Sequence, residues 1–427
     1  MLKKVIIFTV LSVILFSSFS IISFAFVPDR DDITVEGYYL FDLKHNILIA
    51  SENCDELILP SSTTKIMSAC VVLDSGIDLE KQITISSDII KNVSGRSMLL
   101  SEGDVLTVRD LLYAMVCGGY NDATQILAIT VSSSVQNFTA EMNKKAVALG
   151  MNNTHYSNPT GIDQAGMHTT INDISKLVKY MSRNSLFVEI CSAKTYRLSD
   201  YSVCEYLTIT HRSELIVKYK NLSCLNIGGS DSGDCAVMLY NSSASSIISI
   251  VMNANSTKTS QKNNCAELFS EDLILHAIND YSNKLVKSKN NVVSSLPVNY
   301  SISSRKVNVY LSEDLYVFIP NNVTIDELTY SIYIKDGELT APLKSGETVG
   351  TLTVFYDGAI LTTVPLIVAE DVERNTFLYS MDVLKNFVLS KVFLIVLLVI
   401  IILIIIYKSS KKRKFRKKKR KTRKKPT

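Results

Sequence analysis

A long apolar run near the C-terminus constrains the topology of the whole chain. Residues 387–407 are interrupted only by Ser390 and Lys391, and an unbroken apolar stretch of sixteen residues begins at Val392. At 1.5 Å per residue, such a run is long enough to cross the hydrocarbon layer as a helix. The sequence therefore predicts a transmembrane helix at 387–407. The basic tail that follows, residues 408–427, is predicted to stay cytoplasmic as a stop-transfer flank on anionic lipid.

The N-terminus predicts export of everything between the two ends. Lys3 and Lys4 precede the apolar stretch Val5–Phe16, and Ser23-Phe24-Ala25 has the small-x-small form that signal peptidase accepts. This pattern is typical of a cleaved signal peptide, residues 1–25. An uncleaved N-terminal membrane anchor is the alternative. Either reading places the body on the extracellular side of a cell membrane, and the cleaved signal peptide predicts a single-pass protein.

The charge distribution argues against nucleic-acid binding. The chain has 45 basic and 41 acidic residues, but fourteen of the basic ones lie in the tail. Without these and the two N-terminal lysines, 29 basic residues face 41 acidic ones. The exported body is therefore acidic, so the basic character of the whole chain is no argument for a nucleic-acid partner. Its eight cysteines lie in a compartment that permits disulfides, but the sequence does not give their connectivity.

Residue periodicity divides the exported body into two domains. Residues 26–285 mix helical and strand patterns, which predicts an α+β domain with an antiparallel sheet flanked by helices. In this domain, residues 37–50 read as a β-hairpin and 61–73 as a helix, and Thr107 and Asp110 resemble a capping box. A polar segment, 286–297, is predicted to be a linker. Residues 298–370 alternate with a period of two and predict a small all-β domain.

A serine and a lysine three residues apart are the first candidate for chemistry. Ser62 and Lys65 lie in the string PSSTTKIM at the start of a predicted helix, so both project from one face. An unprotonated lysine there could remove the serine proton, provided that burial lowers its pKa. The spacing alone also occurs by chance, as a solvated lysine after a capping serine. It therefore leaves the assignment open.

The surrounding motifs resemble one family of serine peptidases. PSSTTKIM is similar to the nucleophile motif of penicillin-binding proteins and serine β-lactamases. The stretches GMNNTHYSNPTGID (150–163), LNIGGSDSGDCAVML (225–239) and APLKSGETVGTLTVFYDG (341–358) resemble low-molecular-mass penicillin-binding proteins, the D-alanyl-D-alanine carboxypeptidases. The resemblance runs from about residue 37 to 369. It implies a serine β-lactamase/transpeptidase-like fold with a β-rich C-terminal domain.

The resemblance assigns roles to individual residues. Ser62 would be the acylated nucleophile and Lys65 its general base, and Asn121 of the second motif would bind the substrate amide. The third motif would place Asn226 and Gly228 at the substrate, and the N–H groups of Ser62 and Gly229 would form an oxyanion hole. No metal or cofactor is implied. The substrates would be peptidoglycan stem peptides, with β-lactams as covalent inhibitors.

Two motifs depart from the family pattern. The second, usually Ser-x-Asn, reads Gly119-Tyr120-Asn121, and the third, usually Lys-Thr-Gly, reads Asn226-Ile227-Gly228. The missing lysine removes a positive charge expected near the substrate carboxylate. Two hypotheses follow: a D-Ala-D-Ala carboxypeptidase, with activity intact or reduced, or a catalytically impaired protein that binds peptidoglycan or a cell-wall partner. A shifted register that brings Lys218 or Lys220 to the site is a further alternative.

A β-lactamase and a zinc peptidase are less consistent with the sequence. A β-lactamase would not explain the β-rich domain or the membrane segment, and no deacylating glutamate motif is evident. The five histidines form neither HExxH nor a short-spaced pair, which disfavours zinc. Cys117, close to the second motif, is interpreted as a small buried residue rather than a nucleophile.

Overall fold

The computed structural model of the chain describes residues 32–90, 93–199, 202–203, 208–257, 264–303, 305–335 and 337–422. The predicted signal peptide, residues 1–25, lies outside the described residues. The helices are α1 (Thr64–Asp74), α2 (Ser87–Ile90), α3 (Val108–Val116), α4 (Asn121–Ser132), α5 (Val135–Ala148), α6 (Ile171–Met181), α7 (Ser185–Ser192), α8 (Leu215–Lys218), α9 (Cys265–Asn279), α10 (Thr376–Val388) and α11 (Lys391–Thr422). Short 3₁₀ turns lie at Ser61–Thr63 and Ile325–Glu327.

The strands divide between the two predicted domains. The first group is β1 (Ile33–Thr34), β2 (Gly37–Asp42), β3 (Ile47–Glu52), β4 (Gln82–Thr84), β5 (Val105–Thr107), β6 (Thr195–Arg197), β7 (Thr208–Thr210), β8 (Leu222–Ser230), β9 (Gly233–Asn241) and β10 (Ser246–Ser256). The second group is β11 (Tyr281–Lys287), β12 (Ser294–Asn299), β13 (Lys306–Leu311), β14 (Leu315–Pro320), β15 (Thr329–Ile334), β16 (Leu339–Thr340), β17 (Thr348–Tyr356) and β18 (Ala359–Val368).

An antiparallel sheet forms the centre of the N-terminal domain. Its strand order is β3-β2-β10-β9-β8, with β2 paired to β10 through Leu40 and Ser249. The predicted hairpin at 37–50 is confirmed, since β2 and β3 pair around a turn in which Asn46 adopts a φ of 57°. Asparagine tolerates this left-handed conformation better than most residues.

The central sheet is covered on both faces, which explains the nearly continuous apolar run of β2. Every residue of β2 is buried. Tyr39 and Phe41 face one hydrophobic cluster, which also contains residues of α1, α3, α4 and α6. Tyr38 and Leu40 face the other cluster, in which Phe269 of α9 packs. Strands that are buried on both faces read as continuous apolar runs rather than alternating ones.

Local helix signals are confirmed with one refinement. Thr107 caps α3 in a full capping box with Asp110, as predicted. The helix predicted at 61–73 begins instead as a 3₁₀ turn at Ser61–Thr63, and the α-helix starts at Thr64. The Ser61 φ of 46° is incompatible with an α-helical turn, so regular helix starts only after it.

The C-terminal domain is β-rich, as predicted. Its larger sheet has the strand order β15-β17-β18-β13-β12-β16. β12 and β13 pair antiparallel through Leu296 and Val307. Strands β11 and β12 extend into both ends of the predicted linker at 286–297, so that only 288–293 lie outside strands.

The chain separates into two compact units. One contains the described residues up to Lys284 together with Tyr316–Thr329 and Phe355–Leu361. The other contains Leu285–Leu315, Tyr330–Val354 and the described residues from Thr362 onward. The domain bounds 26–285 and 298–370 stay a prediction.

The C-terminal apolar run folds into a helix that is long and apolar enough to cross a membrane, over Lys391–Ser409. The predicted start at residue 387 is not where this helix begins, since α10 ends at Val388 and α11 starts at Lys391. Ser390 separates the two helices, and its hydroxyl accepts a hydrogen bond from the N–H of Phe393 at 3.1 Å. A serine in this position caps the new helix.

The cysteines of the described chain are free thiols. They are Cys54, Cys70, Cys117, Cys191, Cys224, Cys235 and Cys265, and all but Cys54 are buried. Cys204 lies outside the described residues. Buried thiols of this kind pack as small hydrophobic side chains.

Candidate active site

Ser62 lies in a strained turn at the start of α1. The turn Ser61–Thr63 leads directly into the helix, and Ser62 is buried. Ser61 adopts a φ of 46°, in the left-handed region that residues other than glycine rarely occupy. Its hydroxyl lies 2.9 Å from that of Ser230 at the end of β8. Strained residues of this kind are concentrated at functional sites, where surrounding contacts hold them in place.

The Ser62 hydroxyl faces β8, the last strand in the sheet order. Asn226 Nδ2 donates a hydrogen bond to Ser62 Oγ at 2.9 Å. A Cβ atom at Gly228 would lie 2.6 Å from the same oxygen, so a side chain at 228 would collide with the hydroxyl. Ile227, between them, packs on the opposite face in the core with Ala236. The structure thus brings together Ser62, Asn226 and Gly228, as the sequence predicts.

Lys65 is buried close to Ser62, in the first turn of α1. Its ammonium donates a hydrogen bond to the carbonyl oxygen of Thr160 at 2.6 Å. Burial, followed by the positive charge of Arg212, lowers the pKa of Lys65 to about 7. Removal from water disfavours the charged form of an amine, and a nearby cation acts in the same direction. At neutral pH a large share of Lys65 is therefore unprotonated and able to accept a proton.

The loop that carries Thr160 is built around Asn158. Asn158 Oδ1 accepts hydrogen bonds from the N–H of Thr160 at 3.1 Å and from the N–H of Gly161 at 2.8 Å. Gly161 has a φ of 80°, and a Cβ there would lie 1.9 Å from the carbonyl oxygen of Ser61. The loop therefore packs against the turn that carries Ser62, and only glycine fits at this contact.

Asn121 opens α4 with a buried amide. Its Nδ2 donates to the carbonyl oxygen of Ser94 at 2.8 Å, and its N–H donates to the carbonyl oxygen of Arg96 at 2.7 Å. Among the described residues, its Oδ1 has no hydrogen-bond partner. A buried acceptor without a partner is costly, and such groups call for an explanation, such as a role in the site.

Arg212 is the residue of this site that sequence reasoning missed. Its Nη1 donates to the carbonyl oxygen of Ile227 at 2.8 Å, which fixes the guanidinium beside the third motif. A Cβ atom at Gly119 would lie 3.0 Å from the same nitrogen, so the second motif borders it as well. No motif marks the position, because Arg212 lies in a short connection between β7 and α8.

The N-terminal domain matches the D-alanyl-D-alanine carboxypeptidase family over residues 25–256, more than half of the chain. The chain belongs to this family of carboxypeptidases. Residues 281–374 match the C-terminal domain of penicillin-binding protein 5.

Named members of the family align with most of the chain. The D-alanyl-D-alanine carboxypeptidase DacF of Bacillus subtilis is 24% identical over 341 residues, which are 78% of this chain and 84% of DacF. The D-alanyl-D-alanine carboxypeptidase DacC of Escherichia coli is 27% identical over 364 residues, which are 82% of this chain and 87% of DacC. Among solved structures, penicillin-binding protein 5 of Haemophilus influenzae aligns with a TM-score of 0.62 and 23% identity, over 82% of this chain and all of that one. This last likeness shows the fold.

The structure gives no support to a catalytic role for Lys218, Lys220 or Cys117. Lys218 forms an ion pair with Glu271 of α9, and Asn226 rather than either candidate lysine contacts Ser62. Burial raises the pKa of Cys117 to about 12, and its thiol donates to the carbonyl oxygen of Ile190 at 3.2 Å. A thiol in this state is a poor nucleophile.

Gly229 differs from the other predicted residues because it is exposed. It pairs across the sheet with Asp234 of β9. The oxyanion-hole role of its N–H stays a prediction, as do the catalytic roles of Ser62, Lys65 and Asn121.

Proposed function

We propose that this chain is a serine-type D-Ala-D-Ala carboxypeptidase that removes the terminal D-Ala of peptidoglycan stem peptides through an acyl-enzyme on Ser62. The observation that carries the proposal is the pairing of a buried serine, in the 3₁₀ turn before α1, with a buried lysine in the first turn of α1, where burial lowers its pKa to about 7. A lysine tuned in this way can act as a general base at neutral pH. The relatives, which are named as carboxypeptidases, give no support to the catalytically impaired alternative.

Acylation follows from these positions. The neutral amine of Lys65 takes the proton of Ser62 Oγ as this oxygen attacks the carbonyl carbon of the penultimate D-Ala. The N–H groups of Ser62 and Gly229 stabilise the oxyanion. The tetrahedral intermediate collapses with cleavage of the peptide bond, and the departing amine of the terminal D-Ala takes a proton from the Lys65 ammonium. Water then attacks the ester on Ser62 and releases the shortened peptide.

Asn226 and Asn121 hold the reacting groups in this scheme. The donation from Asn226 Nδ2 occupies one lone pair of Ser62 Oγ, which leaves the hydroxyl proton free to point toward Lys65. The unpartnered Oδ1 of Asn121 would accept a hydrogen bond from a substrate N–H. This bond would satisfy a buried acceptor that the described residues leave without a partner. The scheme uses no metal and no cofactor.

The same geometry extends to β-lactams and to the membrane. A β-lactam carbonyl presented to Ser62 would form an ester by the same attack and so inhibit the enzyme. α11 would cross the cell membrane as a single span, with the catalytic body on the extracellular side and the basic tail on the cytoplasmic side. The signal peptide and the β-rich domain would serve export and positioning near the wall.

Covalent labelling tests the nucleophile. Purified full-length protein in detergent is incubated with a fluorescent penicillin, and parallel samples carry Ser62→Ala or Ser75→Ala. Ser75 caps the far end of the same helix and is exposed, so its variant controls for changes to α1. We expect labelling of the natural protein and of Ser75→Ala, and none of Ser62→Ala. Release of D-Ala from an N-acyl-D-Ala-D-Ala peptide should follow the same pattern.

Two results would contradict the proposal. Folded natural protein that takes up no label and releases no D-Ala would remove the enzyme activity. Labelling that persists in Ser62→Ala would move the nucleophile elsewhere.

A further inference from the structure

Arg212 occupies the place between the two motifs that depart from the family pattern. A Cβ atom built on Gly228 would lie 2.6 Å from Ser62 Oγ and 3.4 Å from Arg212 Nη1. These two distances from one point bring the hydroxyl oxygen and the guanidinium nitrogen within about 6 Å of each other. A substrate bound to Ser62 would therefore pass close to a fixed positive charge.

The glycine of the second motif is what makes room for this charge. A Cβ at position 119 would lie 3.0 Å from Arg212 Nη1 and 3.1 Å from its Cδ, both tighter than ordinary packing. Gly119 also has a φ of 70°, which disfavours any other residue. The absence of a side chain at position 119, and with it of the usual serine hydroxyl, therefore leaves the space that the Arg212 guanidinium occupies.

The guanidinium has no anionic partner within the described part of the chain. The two carboxylates that act on it at longer range are engaged elsewhere: Glu267 accepts a hydrogen bond from the N–H of Leu215 at 3.2 Å, and Asp234 accepts one from the N–H of Cys265 at 2.8 Å. The Arg212 guanidinium donates one hydrogen bond, from Nη1 to the carbonyl oxygen of Ile227. Because a guanidinium has five N–H donors, a fork remains to bind an anion.

A second arginine increases the positive charge at this place. Arg96 donates through Nε to the carbonyl oxygen of Gly118 at 2.7 Å, and its guanidinium lies 5.0 Å from the ring centre of Tyr120. Burial, and after it the charge of Arg96, lowers the pKa of Arg212. Within the described residues neither guanidinium forms an ion pair with a carboxylate, so a bound anion would offset the two like charges.

We propose that Arg212 binds the terminal carboxylate of the substrate and so supplies the cation that neutral Asn226 cannot. The inference rests on the proposed carboxypeptidase function and specifies how its substrate is recognised. A guanidinium is suited to this task, because its planar fork matches the two oxygens of a carboxylate. Asn226 then has no carboxylate to bind, and it donates a hydrogen bond to Ser62 instead.

The test compares a free carboxylate with a blocked one. Full-length protein in detergent is given an N-acyl-D-Ala-D-Ala peptide or its C-terminal methyl ester, and kcat/KM is measured for cleavage between the two D-Ala residues. The variants are Arg212→Gln, Arg212→Lys, the double variant Arg212→Gln with Asn226→Lys, and Arg109→Gln. Arg109 pairs with Glu80 on the surface, so it controls for the loss of an arginine.

Removal of the fork should cost the free-carboxylate substrate about 10- to 100-fold in kcat/KM, the usual size of a charge-assisted hydrogen bond. At an alkaline pH where Lys65 is neutral in every variant, we expect the ester to change by less than about threefold, which is small beside that loss. The Lys variant should retain part of the preference, the double variant should recover part of it, and Arg109→Gln should match the natural protein.

An equal loss for both substrates in Arg212→Gln, or no loss for either, would overturn the role of Arg212 while leaving the carboxypeptidase function intact. Failure of the natural protein to cleave either substrate would instead refute the proposed function itself. The two failures are therefore distinguishable.

Discussion

The lowered pKa of Lys65 makes a quantitative prediction about pH. Lys65 must be neutral to accept the Ser62 proton, so acylation requires pH values above its pKa. Burial and the charge of Arg212 bring that pKa from an ordinary 10.5 to about 7. The rate should therefore be low in acid, rise through neutral pH and level off in mild alkali. The opposite sign, a rate that falls as pH rises through 7, would require Lys65 to act as an acid in the rate-limiting step.

The size of the effect follows from the fraction of neutral amine. With a pKa near 7, about half of Lys65 is neutral at pH 7, whereas an unshifted lysine would be neutral in roughly one molecule in 3,000. Between pH 5.5 and pH 8 the neutral fraction rises about 30-fold. Part of the gain at neutral pH is offset, since a less basic amine is a weaker proton acceptor.

The assay is the second-order rate of acylation by a fluorescent penicillin from pH 5 to pH 10, measured under conditions where the protein stays folded. This rate reports the free enzyme and avoids the later hydrolysis step. We expect a single inflection near pH 7. In Arg212→Gln, the inflection should move to higher pH, because the second cause of the lowered pKa is removed.

A rate that stays flat from pH 5.5 to pH 8 would refute the reasoning, as would a rate that rises toward pH 10 without levelling. Flat behaviour would mean that no group with this pKa takes part in acylation. A continued rise would mean that Lys65 is solvated in the working enzyme.

Three further predictions test the surroundings of the site. Gly228→Ala should abolish penicillin labelling without unfolding the protein, because its Cβ would lie 2.6 Å from Ser62 Oγ; unchanged labelling would contradict the close approach of β8. Asn226→Ala should slow acylation by about fivefold, the value of one neutral hydrogen bond, and a complete loss would indicate a larger role. Asp110→Ala should lower the free energy of unfolding by about 3 kcal/mol in a denaturant titration, because this buried carboxylate accepts hydrogen bonds from Thr107, Tyr196 and Ser199; unchanged stability would contradict that estimate.

Local patterns in the sequence were sufficient for several elements. The hairpin at 37–50, the capping box at Thr107 and the β-rich character of 298–370 were all predicted correctly, because they depend on neighbouring residues and on strand periodicity. Helix boundaries that depend on a single residue were predicted less accurately. The left-handed Ser61 delays α1, and Ser390 ends one helix and begins the next.

The candidate site shows the same division. Ser62 and Lys65 could be selected from their spacing together with the resemblance of the surrounding motifs, and Asn226 and Gly228 from the resemblance of the strand that carries them. By itself, the sequence therefore determined the candidate nucleophile pair, the fold class and the apolar C-terminal helix, since each is encoded in local patterns.

Only the tertiary structure showed the electrostatics of the site. Thr160, 95 residues beyond Lys65, provides the carbonyl that accepts its hydrogen bond. Arg212 reaches the same site from a connection with no recognisable motif, and there it lowers the pKa of Lys65 and borders Gly119 and Gly228. The physical reason is that pKa values and charge complementarity depend on burial and distance in space, and these quantities are fixed only when distant segments pack together.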